Sequence, residues 1–150
     1  MEYSYLDEVL YTLKFIMFLM TYEIPEEQEV RKIILRILSK RGIIESQAEL
    51  LREVLKHLHR RNKNYKLSGK RMRIIAINSG KVKIEIRYKL SDKLIEKMDK
   101  CPVCGGRMVK IENSTLDGGK VVIGFKCLTC SYWTGKQLRI PVRYIFRYSP

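Results

Sequence analysis

Acid is missing from the middle of this chain. No aspartate or glutamate occurs between Glu53 and Glu85, a stretch that holds ten lysines and arginines. Histidine is scarce. His57 and His59 are the only two. They stand two apart on a helical stretch and so point in different directions. No order of serine, histidine and aspartate suggests a hydrolytic triad, and no carboxylate cluster suggests a catalytic metal. None of the nine glycines stands in a phosphate-cradling loop pattern. These absences make the expectation a protein that binds rather than an enzyme.

Long apolar runs are missing too. The run from Phe15 to Met20 falls far short of the roughly 20 residues a bilayer-crossing helix needs. A secretory leader opens on basic residues. This chain opens on "MEYSYLDE", which is acidic. The expected compartment is the cytoplasm, where paired cysteines serve more often as metal ligands than as disulfides.

What is present is charge of one sign, unevenly spread. The formal net charge is +14 over 150 residues, with an isoelectric point near 9.8. A balance of this kind favours a polyanionic partner, usually nucleic acid. A lysine-rich proteome is the alternative source of such a balance. Residues 1–30 hold seven acids and one base, Lys14. That acidic leader is expected to pack inside the molecule or against a second copy.

Residues 4–22 read as a helix. Leu6, Val9, Leu10, Leu13, Ile16, Met17 and Met20 follow three- and four-residue steps, and Phe15, Phe18 and Leu19 widen the stripe. A face this apolar needs cover, from the core or from another subunit. Residues 1–24 are accordingly a candidate dimerisation segment. A second helix is expected over 27–41, with Glu26, Glu27 and Glu29 at the positive end of its dipole and Gly42 as its stop. "SQAE" at Ser46 has the capping-box form and opens a third helix running to about Asn62. Residues 69–78 have two readings. One is a helix capped by Ser68 and ended by Gly80; the other is the first strand of a hairpin turning at "NSG". "KVKIEIRY" alternates as a strand, and "SDKLIEKMDK" reads as a short helix or linker.

The most specific signal is the cysteine pattern. Cys101 and Cys104 form one C-x2-C hook, Cys127 and Cys130 another. Two such hooks supply four thiolates to a tetrahedral metal. "RMVKIEN" and "KVVIGFKC" read as strands, and Asp117-Gly118-Gly119 is a turn that would bring the second hook beside the first. No open coordination position or general base is evident, so the expected ion is structural Zn2+. Iron in a rubredoxin-like site is the rival. The stretch from Cys101 to Trp133 resembles the zinc-ribbon family. It departs after the second hook, where Ser131 and Tyr132 stand in place of the glycine that many ribbons carry. The closing "RIPVRYIFRYSP" interleaves Arg139, Arg143 and Arg147 with Tyr144, Phe146 and Tyr148. It reads as a strand or extended tail closing the ribbon, fit either to pack or to grip phosphates and bases.

The expected fold is α+β: a helical body over 1–91, a linker at 92–100, and a small β zinc ribbon with a C-terminal extension over 101–150. The order of elements is similar to that of archaeal winged-helix or helix-turn-helix regulators with a C-terminal zinc ribbon. That resemblance implies a recognition helix at 69–78 entering a DNA major groove. The candidate nucleic-acid contacts are Arg60, Arg61, Lys63, Lys66, Lys70, Arg71 and Arg73, within the basic tract from 56 to 83. The expected function is DNA binding in transcriptional regulation. An RNA- or ribosome-associated factor and a protein-interaction adaptor are the alternatives.

Overall fold

Val30, Ile33, Ile34, Ile37 and Leu38 recur at helical spacing and are all buried on α2, Glu27–Arg41. The helix ends where the Gly42 amide donates to Leu38 O at 2.7 Å. Two residues then form β1, Ile43–Ile44. Ser46 caps α3, Gln47–Arg61, its hydroxyl accepting from the Glu49 amide. Leu50, Val54 and Leu58 face inward from α3; Leu51 and Leu55 are half-buried, and Ala48 is exposed. The computed structural model describes residues 3–150.

The two readings of residues 69–78 resolve as α4, Gly69–Asn78. Ser68 accepts the Arg71 amide at 3.1 Å, and Met72, Ile75 and Ala76 enter the core. β2, Val82–Leu94, follows at once and runs through the start of the expected linker. β3, Met108–Ser114, and β4, Lys120–Cys127, form the expected hairpin, with Met108 opposite Cys127 and Ser114 opposite Lys120. β5, Trp133–Gly135, adds to the other edge of β4. Gly124 is required there, because a Cβ would collide with the Thr134 carbonyl on the neighbouring strand.

The last strand, β6, Gln137–Tyr148, does not close the ribbon. It inserts between β1 and β2, giving an antiparallel sheet of order β1-β6-β2 beside a second sheet of order β3-β4-β5. The cause is alternation along β6. Phe146 pairs with both Ile44 and Ile84 and is fully buried. Tyr144 and Tyr148, two residues to either side, pack partly against the same core. The aromatic residues of the tail are therefore core residues. The chain leaves the body after β2, builds the cysteine-bearing sheet, and returns as the central strand of the first sheet.

Helix α1, Tyr3–Met20, stands apart. Neither core cluster contains any of its residues, and Tyr5, Leu6, Leu10, Tyr11, Leu13, Phe15, Met17 and Phe18 are exposed. Of the acidic leader, the described residues of α1 are thus not packed inside, whereas Pro25 and Val30 are buried and Glu29 pairs with Arg61. Residues 1 and 2, and the side chains of Leu19 and Met20 from the apolar stripe, lie outside the description. The segment after α1 is tied down: the Glu23 amide donates to Asn64 O and its carbonyl accepts from the Lys66 amide, both at 2.9 Å. No helix among the described residues is long and apolar enough to cross a membrane.

Candidate metal centre and basic surface

Cys101 and Cys104 sit on the loop before β3, while Cys127 ends β4 and Cys130 follows it. The four Sγ atoms lie within 4.8 Å of one another. Cys101 and Cys130 approach to 3.6 Å and Cys104 and Cys127 to 3.5 Å. A tetrahedral ion with bonds of about 2.3 Å sets its sulfurs about 3.8 Å apart, so the cluster has the dimensions of a tetrathiolate site. Disulfide bonding needs about 2.05 Å, and all four cysteines are free. Backbone amides point at the sulfurs. Val103 N donates to Cys101, Gly106 N to Cys104, and Thr129 N and Cys130 N to Cys127, at 3.3–3.4 Å. Such donors stabilise thiolate charge. Gly105 makes the first hook's turn at φ 74°, a left-handed conformation that glycine adopts without a steric cost.

The thiols do not ionise alike. The Cys130 thiol donates to Cys101, and backbone amides add to this, holding Cys101 down to about 5. Burial pushes Cys104 up to about 11. Cys130 is pushed up because its proton is engaged by Cys101. A metal arriving here displaces protons from the last two.

The cysteine-bearing sheet is latched to the body by polar side chains. Arg73, on α4, is only 6% exposed. Its Nε donates to Val103 O inside the first hook at 2.7 Å, its Nη1 donates to Gln47 Oε1 at 2.6 Å, and its guanidinium lies 4.2 Å from the centre of the Tyr144 ring. The Ser131 hydroxyl donates to Ile84 O on β2 at 2.9 Å. Tyr132 is buried, and its hydroxyl donates to Arg139 O at 2.6 Å. Ser131 and Tyr132, the two residues after the second hook, thus tie the cysteine-bearing sheet to β2 and β6. Burial pushes the Tyr132 and Tyr144 hydroxyls above the usual range.

These contacts correct two expectations. Arg73 turns inward rather than to solvent, its Nε and Nη1 held by the hook's carbonyl and by Gln47. Helix α4 is not open to a groove either. Ile77 packs against both core clusters, and of its ten residues only Lys70 and Asn78 are exposed. Arg71 is half-buried, with Nη2 donating to Pro25 O at 2.9 Å.

The remaining candidates are at the surface, in two neighbouring groups. Arg60 and Arg61 open onto a groove of about 640 Å3 between α2 and α3, shared with Lys32, Arg36, His57 and Tyr65. Glu26 and Glu29 also line it, and Glu29 pairs with Arg61 at 2.7 Å. Lys63 and Lys66 lie beside Thr21 and Tyr22 at the end of α1. Lys70 stands exposed in the first turn of α4. Among the described residues, Arg60, Lys63, Lys66 and Lys70 have no acidic partner within ion-pair distance. Lys32 and Arg36 were not among the sequence candidates, although four-residue spacing off the apolar face of α2 would have shown them. Both histidines meet backbone carbonyls: His57 Nδ1 meets Glu53 O at 2.9 Å and His59 Nε2 meets Tyr65 O at 2.8 Å.

Comparison with family models, with curated proteins and with solved structures gives no match.

Proposed function

We propose that the protein is a DNA-binding regulator with a winged-helix-like body and a structural zinc ribbon inserted in its wing. Three helices, α2, α3 and α4, accompany a three-stranded sheet of order β1-β6-β2. The first strand falls between the first two helices, and the ribbon occupies the connection between β2 and β6. That order of elements supports the winged-helix-like reading. The cysteine geometry supports Zn2+, which when bound supplies a cross-link between the two hooks. Cys101, Cys104, Cys127 and Cys130 would hold it, and Arg73 would carry the hook's position to α4.

The observation that carries the reading is the cationic end of α3. Arg60, Lys63, Lys66 and Lys70 are exposed and, among the described residues, have no acidic partner within ion-pair distance, with Lys32 and Arg36 alongside Arg60 across the groove. Cations so placed release counterions when they meet phosphates, so affinity falls with salt. With α4 covered, the contact is to the DNA backbone rather than to base edges.

A second reading, binding of RNA or single strands, draws on one feature. Arg139 stacks 3.4 Å from the centre of the Trp133 ring and 4.2 Å from that of Tyr88. Both rings are exposed. Rings at the surface are the usual platform for unpaired bases. Competition among duplex DNA, duplex RNA and single strands at fixed salt separates the readings. The regulator reading expects duplex DNA to win, and single-strand preference overturns it.

The partner proposed for α1 is a second copy of the chain. Leu6, Val9, Leu13 and Ile16 step by three, four and three, the spacing of a two-helix seam, and all are exposed. Light scattering is expected to give twice the 17.8 kDa chain mass, and Leu13→Asp to return it to the monomer value.

A further inference from the structure

The sheet β1-β6-β2 has two faces. Val82, Ile84, Ile44 and Phe146 look toward the helices and join their core. The opposite face carries the alternate residues, and its register gathers charge of one sign. Lys83 stands directly opposite Arg147, and Arg87 directly opposite Arg143, with Lys89 farther along β2. All five are exposed. Glu85 is the one acid among the paired residues of this face, and it contacts Arg147 at 3.2 Å. Among the described residues, Lys83, Arg87, Lys89 and Arg143 have no acidic partner within ion-pair distance.

Like charges directly opposite on neighbouring strands destabilise a sheet. Two such pairs on one ribbon are a cost that folding does not explain. Ile145 shows how the cations lie. It pairs with Glu85 on this outer face and belongs to neither core cluster, yet it is only 3% exposed. Its register neighbours on that face are Lys83, Arg87, Arg143 and Arg147, and long side chains of this kind lay their aliphatic stems over apolar surface while their heads reach solvent. The face is a pre-ordered set of cations. The Lys83 and Arg87 rows are separated by roughly 13 Å at about 3.3 Å per residue.

We infer that this outer sheet face is a second surface for the phosphate backbone of duplex DNA. The face presents no aromatic ring among its paired residues, so it lacks the stacking platform a single strand uses. A flat row of cations matches a duplex backbone, which holds its phosphates at fixed spacing. Because α2, α3 and α4 cover the other face, this surface looks away from them. The inference rests on the DNA-binding reading and extends it to residues 83–89 and 143–147.

The test uses the full chain, a labelled duplex and low salt. Arg60→Gln/Lys63→Gln/Lys66→Gln removes cations at the end of α3. Lys83→Gln/Arg87→Gln/Arg143→Gln removes them from the sheet face while keeping a polar side chain with an aliphatic stem at each position. The first variant is expected to retain weak, salt-sensitive duplex binding, and the combined variant to lose it. The sheet variant is expected to melt at or above the parent temperature, since repulsion is relieved. Arg87→Lys/Arg143→Lys, which keeps the charge, should bind as the parent does. Residual binding that survives the sheet substitutions overturns the inference alone, as does an α3 variant with no residual binding. A parent that binds no duplex DNA overturns the underlying reading as well, and preference for duplex RNA overturns the choice of partner.

Discussion

Arg73 stands in a run of cations, KRMR, that gives no local sign of which one turns inward. The fold decides it. Gln47 at the start of α3, Val103 in the first hook and Tyr144 on β6 converge on one guanidinium. Arg73→Met would strand two acceptors, at a cost of about 2–3 kcal/mol. Thermal or urea unfolding checks this: the account expects a lower melting temperature, whereas unchanged stability would mean the latch carries no load. The cysteines give a second expectation at this scale. Cys104, up at about 11, and Cys130, also raised, hold protons at neutral pH in the metal-free chain. Metal uptake expels those protons, so affinity rises with pH and falls as pH drops. With at least two protons displaced, the apparent affinity should change by about a hundredfold or more per pH unit near neutrality. Chelator competition at several pH values measures it, and elemental analysis of the same samples separates zinc from iron.

Among the elements, β6 brings the chain back from the cysteine-bearing sheet to the body. Its central place makes β1 and β2 partners of the same strand. Phe146 is fully buried between Ile44 and Ile84. Phe146→Ala is expected to cost about 3–5 kcal/mol, the range for emptying an aromatic site in a packed core. The loss should appear in the helical signal by circular dichroism, because the strand packs under α2, α3 and α4. A melt that leaves the helices intact would contradict the topology. α2 and α3 were legible in the sequence because their signals are local: apolar spacing, Ser46 as a cap, Gly42 as a stop. α4 read two ways, because its β-branched residues and the following NSG turn fit a hairpin as well as Ser68 fits a cap. The strand pairing was not legible. Arg147 meets Glu85 across 62 residues, and alternation in β6 says which side is buried without saying against what.

At the scale of the whole molecule, the basic tract read as one surface divides into several. Two of its cations, Arg71 and Arg73, turn inward as fasteners. Arg60 and Arg61 face α2, and Lys63 and Lys66 face the end of α1. The cysteine cluster was legible because two C-x2-C pairs joined by a hairpin come together by local spacing alone. Their docking was not, because Ser131 and Tyr132 show their purpose only beside β2 and β6. α1 keeps its described apolar side chains uncovered in the single chain, and the outer sheet face shows how residues from distant tracts join in one charged field.

The proposal that the protein meets the backbone of duplex DNA through the end of α3 is tested most directly by the salt dependence of duplex binding. Anisotropy of a labelled duplex, followed across a salt series, gives the slope of log affinity against log salt for the parent and for Arg60→Gln/Lys63→Gln/Lys66→Gln. The account predicts a steep negative slope that becomes shallower by about 2–3 in the variant, at roughly 0.9 per phosphate contact removed. An identical slope in the two proteins, or no duplex binding by the parent at low salt, would contradict it.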